Sequence, residues 1–168
     1  MALIVEDGTG LSNAESYVSV ADADLYVGDT FFSGDWSTST TQVKEKLLKN
    51  ATRLIDSFFD FNGEKAVATS SLRWPRTGVY DKDGIEVSST AVPRGIVYAT
   101  VEMAIALQAN NFVGENESRG VSSIKVDAIE IQFERSEKTL KIPSSVTHYI
   151  RGLGYAVAGS RVGNLILA

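Results

Sequence analysis

Between Val43 and Phe59, apolar side chains recur at intervals of three and four: Val43, Leu47, Leu48, Ala51, Leu54, Ile55, Phe58 and Phe59. A strand cannot use such spacing, because its faces alternate with a period of two, whereas a helix gathers these residues into one stripe. Lys44, Glu45, Lys49, Arg53 and Asp56 fall mostly on the other faces, and Asn62-Gly63 marks a stop. A helix with one apolar stripe must bury it against another element. The segment best suited to receive it begins near Pro93, a residue well tolerated in a first turn, and runs to about Asn110 or Asn111. Ile96, Val97, Val101, Met103, Ala104, Ile105 and Leu107 make it apolar nearly all round, as expected of a central helix.

The remaining signals are shorter. Ser19 can cap a helix through about Thr30, with Asp22 near its positive end and Val20, Ala23, Val27 and Phe31 on one stripe. Ser33 to Thr41 reads as a loop, and Gly8, Gly10, Ser12 and Asn13 make residues 1–18 an extended arm. Pro75 excludes regular helix through Leu72–Gly78. Val79-Tyr80 and Ile85–Val87 flank Asp81-Lys82-Asp83-Gly84 as a short hairpin or turn. Ile124–Val126 and Ile129–Phe133 alternate apolar and polar, with a slip of phase at Asp127-Ala128 that calls for a bulge or turn. Ser144 can cap a last helix to about Leu153. The expected fold class is mainly α: a bundle of three principal helices plus a short C-terminal helix, with a small β element near residues 121–142 and extended termini. No linker divides residues 1–168, so one domain with an N-terminal arm (1–18) and a C-terminal tail (155–168) is expected.

Chemistry is hard to place on this chain. It has no cysteine, which removes thiol nucleophiles, disulfides and cysteine-ligated zinc. His148 is its one histidine, too few for a histidine zinc site, and no Gly-x-Ser-x-Gly elbow accompanies it. Asp81-Lys82-Asp83-Gly84 lacks the third ligand and the distal glutamate of a calcium loop, and Gly8-Thr9-Gly10 lacks the third glycine of a dinucleotide fingerprint. No enzyme activity and no cofactor are expected. The apolar run Ile96–Ala109 is interrupted by Glu102 and Gln108 and is too short to span a bilayer. With no basic, apolar leader at Met1–Gly10, the expectation is a protein made in the cytoplasm, without a membrane partner.

Charge is distributed unevenly. Residues 1–39 carry Glu6, Asp7, Glu15, Asp22, Asp24, Asp29 and Asp35 and no Lys or Arg, whereas residues 138–168 carry Lys138, Lys141, Arg151 and Arg161 and no acid. Two solvated, unrelated ends would explain this, and so would an acidic start on one copy meeting the basic end of the next. The net charge of −5 argues against free nucleic-acid binding, which draws its affinity from cations on phosphate.

Three stretches together resemble one family encoded in phage and prophage morphogenesis clusters. They are the opening Met1–Leu11 with Ser12–Tyr17, the segment Leu72-Arg73-Trp74-Pro75-Arg76-Thr77-Gly78-Val79-Tyr80-Asp81, and Val92-Pro93 leading into the apolar helix. The likeness covers most of the chain to about residue 113. Members are commonly labelled DnaT-like single-stranded DNA-binding proteins. In size, gene setting and helical pattern they are also similar to head–tail adaptors, or head-completion proteins, of long-tailed bacteriophages. The adaptor likeness implies a structural subunit of a head-to-tail connector in the virion neck, assembled in the host cytoplasm. Its partners would be other copies in a ring, dodecameric in the best-known cases, the portal protein, and tail or neck proteins, with DNA passing through the lumen without specific binding. The alternative is a single-stranded DNA-binding replication protein, for which Arg73, Trp74, Arg76 and Tyr80 form the one basic-aromatic cluster. Candidate interface residues are Leu3, Val5, Trp74, Arg76, Tyr80, Arg161 and the apolar Leu165, Ile166 and Leu167. That last trio can lie on its own subunit or reach a neighbour or the portal.

Overall fold

The computed structural model describes residues 3–30, 34–109, 123–126, 129–132 and 142–157. The fold is mainly α with small two-stranded antiparallel sheets. Helix α1 (Val20–Gly28) starts where Ser19 accepts the N–H of Asp22 and donates its hydroxyl to the same residue's carboxylate at 2.6 Å. Helix α2 (Thr41–Phe58) is capped by Thr40, and helix α3 (Arg94–Ala109) follows Pro93 directly. Helix α4 (Ser144–Ile150) begins one residue earlier than Ser144 as a cap requires: Pro143 holds the cap position and makes no side-chain bond.

The stripe of α2 buries Leu47, Leu48, Ala51 and Ile55 against α3, whose Ile96, Ala99, Val101, Met103 and Ala104 are wholly buried. α4 packs on the other side of α3 through Val146 and Ile150. The approach is close because position 95 is glycine: a Cβ there would meet the Tyr149 carbonyl. These side chains belong to a single core cluster. Among the described residues, no helix is long and apolar enough to cross a membrane.

Three features depart from the sequence-based expectation. Phe59 does not extend α2; with φ −123° and ψ 135° it opens strand β1 (Phe59–Phe61), which pairs with strand β6 (Gly154–Ala156). Tyr155 and Ala156, expected to begin the C-terminal tail, are held in a sheet, and Val157 donates its N–H to the Phe58 carbonyl. The segment 34–36, expected to be loop, is a 3-10 turn that buries Trp36, whose indole N–H donates to Asp24 at 2.8 Å. The N-terminal segment has no helix before α1, as expected of an arm, but it is packed onto the body of the molecule, with Glu6, Ala14, Ser16, Tyr17 and Val18 buried.

The other strands are short. β2 (Glu64–Lys65) pairs with β3 (Arg76–Thr77). β4 (Ser123–Val126) pairs with β5 (Ile129–Gln132), which is the expected β element, while the slip at 127–128 lies outside the described residues. Residues 79–87 form the expected hairpin: Val87 donates to the Val79 carbonyl and Asp81 to that of Ile85. The Asp81 carboxylate accepts the N–H groups of Asp83 and Ile85, so it closes a turn.

Candidate functional site

The opening stretch and the Leu72–Asp81 stretch are far apart in sequence but meet in space. Glu6 turns its carboxylate inward, where the N–H groups of Gly8, Gly10 and Leu11 donate to it at 2.8–3.0 Å. Gly8 and Gly10 have φ of +98° and +78°, a conformation that lets the backbone curl around this carboxylate. Leu11 and Ala14 then offer their carbonyls to Ser71. At the end of the stretch, the buried Tyr17 hydroxyl donates to Asp56 of α2 at 2.5 Å and accepts the N–H groups of Arg73 and Trp74. The N-terminal segment, α2 and the central stretch are thus joined at one polar node.

The same stretch commits two expected interface residues to the interior. Trp74 is wholly buried and meets Phe61 edge-on, with ring centroids 5.7 Å apart. Arg76 is 8% exposed, and its guanidinium donates to the carbonyls of Phe61, Asn62, Gly63 and Arg73. Neither is available to a partner or to DNA in this fold. The correction has a simple cause: the turn after β1 leaves its carbonyls without strand partners, and a planar five-donor group satisfies them together.

Around the polar node lies an open depression of about 470 Å³ lined by Arg53, Lys65 and Arg73 as well as Glu15, Asp56 and Ser71. Lys65 donates to the Ser70 carbonyl, and Glu15 is held below its usual range chiefly by its hydrogen bond from Lys49. Burial pushes the Asp56 carboxyl up to about 6, against the hydrogen bonds from Tyr17 and Arg73. The folded protein therefore holds this proton more tightly than the unfolded chain, where an aspartate titrates near 3.9 (about two units lower). Asp56's contribution to stability is full below about pH 4 and is lost as pH rises through about 6. On acidification from pH 7 to 4, the wild type should gain up to about 3 kcal/mol relative to Asp56→Asn. Paired denaturation curves across that range check this, and a difference that stays constant with pH would contradict it.

A second groove, of about 660 Å³, runs between α1 and the first half of α3, with Tyr149 of α4 in its lining. Tyr26, Tyr98 and Tyr149 pack there, with centroids 4.7 and 5.5 Å apart along the row. The hydroxyls of Tyr26 and Tyr149 lie 3.0 Å apart, and Glu102 accepts from Tyr26 and from Ser145. Sequence reasoning missed this cluster, since the three tyrosines come from three helices and only their general helical placement was readable.

The other candidate residues are scattered. Leu3 is half-buried against the core, Val5 is half-buried and bridges to Ser16, and Tyr80 is exposed on the 79–87 hairpin. Arg161, Leu165, Ile166 and Leu167 lie outside the described residues. His148 is exposed on α4, and among the described residues no group of three His, Asp or Glu could hold a metal ion.

Residues 1–164 match the family described as "Putative DnaT-like ssDNA binding protein", and the chain belongs to that family. No curated protein and no solved structure matches it.

Proposed function

We propose that the chain is a structural subunit of a phage head-to-tail connector, one copy in a ring that bridges portal and tail and lets DNA pass. The observation that carries this reading is the interior placement of Trp74 and Arg76. With both committed to the framework, the one basic-aromatic cluster of the sequence loses the stacking platform that single-stranded DNA binding uses. A net charge of −5 suits a wall past which phosphate must slide without adhering. No chemical step, cofactor or metal enters this role.

The family description favours a second reading, single-stranded DNA binding. What favours it in the molecule is the depression edged by Arg53, Lys65 and Arg73, three cations that could follow a phosphate backbone. Asp56 and Glu15 stand in the same depression and weaken that case. A titration with labelled oligonucleotide at physiological salt separates the two. The connector reading expects weak binding or none, together with incorporation of the protein into particles. Sub-micromolar, salt-sensitive binding that disappears in Arg53→Ala/Arg73→Ala would reverse the order.

A further inference from the structure

Of the seven acids in residues 1–39, three are held by buried backbone or by a lysine. Glu6 is wrapped by backbone, Glu15 is paired with Lys49 at 2.7 Å, and Asp24 is paired with Lys44 at 2.8 Å. Asp22, which accepts from Ser19, and the C-cap Asp29 remain exposed at the two ends of α1, and both line the tyrosine groove, where they outnumber its one cation, Arg94. Between them stands Leu25, 70% exposed, the most exposed large aliphatic among the described residues. Val92 and Val97 continue the apolar lining across the groove. The surface thus asks for a ligand that brings aliphatic side chains and a positive charge.

Residues 158–168 have that composition: Arg161, no acid, and Leu165, Ile166 and Leu167. Fully extended, eleven residues reach up to about 35–40 Å. We propose that the groove between α1 and α3 is a docking site for residues 158–168 of a neighbouring copy of this chain. Leu165–Leu167 lie against Leu25, Val97 and the tyrosine row, and Arg161 pairs with Asp22 or Asp29. Charge complementarity fixes the register, and the aliphatic residues supply the contact. The choice of a neighbour rather than the same subunit rests on the connector reading, in which copies stand side by side.

The absence of native cysteine makes the test unambiguous. Two singly substituted full-length chains, Leu25→Cys and Ile166→Cys, are mixed at high concentration and oxidised. The expected product is a mixed dimer, absent when Glu64→Cys on β2 replaces Leu25→Cys. It should be lost when Arg161→Glu is added to the Ile166→Cys chain, and restored when the Leu25→Cys chain then carries Asp22→Arg/Asp29→Arg. A doubly substituted chain that closes only within itself, at all concentrations, would overturn the proposal by placing the segment on its own subunit. No product in either format would overturn it by removing the segment from the groove. Neither failure touches the connector reading, which the oligonucleotide and particle measurements decide.

Discussion

Trp74→Ala should lower the free energy of unfolding by about 3–5 kcal/mol, the range for removing a large aromatic from a core. The indole is wholly buried and packs edge-on against Phe61, so truncation opens a large cavity beside β1. Trp74→Phe should be far milder. The indole N–H finds no hydrogen-bond acceptor among the described residues, so replacing it with a phenyl ring removes a buried, unpaired donor along with some packing. The check is the denaturant midpoint of the three proteins, with unchanged slope. A DNA-stacking tryptophan predicts the opposite pattern: Trp74→Ala would leave the midpoint near that of the wild type and abolish oligonucleotide binding. The contrast matters because Trp74 lies in the stretch that carries the family resemblance, and stability alone can account for its presence.

How much of this could be read beforehand depended on the range of the interaction. The stripe from Leu47 to Ile55 and the all-round apolar face of α3 are local patterns, and they placed the central helices to within about two residues. Ser19 with Asp22 likewise announced α1. Burial of Trp36 could not be read this way, because its partner Asp24 lies across a loop in another element. The node of Tyr17, Asp56 and Arg73 joins residues up to 56 positions apart, and nothing in the spacing of a tyrosine and an aspartate reveals such a pair. Asp56 looked like one more polar residue on the outer face of α2, yet burial shifts its titration. The basic-aromatic cluster misled for a related reason: composition shows that cations and rings are adjacent, not which way they face. At Trp74 and Arg76 they face inward, and only Arg73 and Tyr80 of that group stay exposed.

Arg76→Lys provides the second large effect, and it separates charge from shape. The substitution keeps the positive charge, so a residue that served as a phosphate contact would lose little. Here the guanidinium donates Nε to Asn62 at 2.6 Å, Nη1 to Arg73 at 3.2 Å, and Nη2 to both Phe61 and Gly63. Those carbonyls surround the turn at Gly63, whose φ of +66° places it in the left-handed region. A Cβ at Gly63 would meet the Thr77 carbonyl, so the turn has little room to shift toward a shorter side chain. An ammonium is a compact point donor with three hydrogens and cannot span four acceptors arranged for a planar fork. Leaving one or two buried carbonyls unsatisfied costs about 1–3 kcal/mol each. The expected loss for Arg76→Lys is therefore roughly 3 kcal/mol, and Arg76→Ala should lose no less. Urea denaturation of both variants measures it. If Arg76→Lys matches the wild type while Arg76→Ala does not, charge alone holds this turn, and the side chain would again be a candidate for contact with phosphate. If both fall together, the arginine acts as a clamp on the β1 turn, and the Leu72–Asp81 stretch is a structural frame that leaves partner recognition to other surfaces.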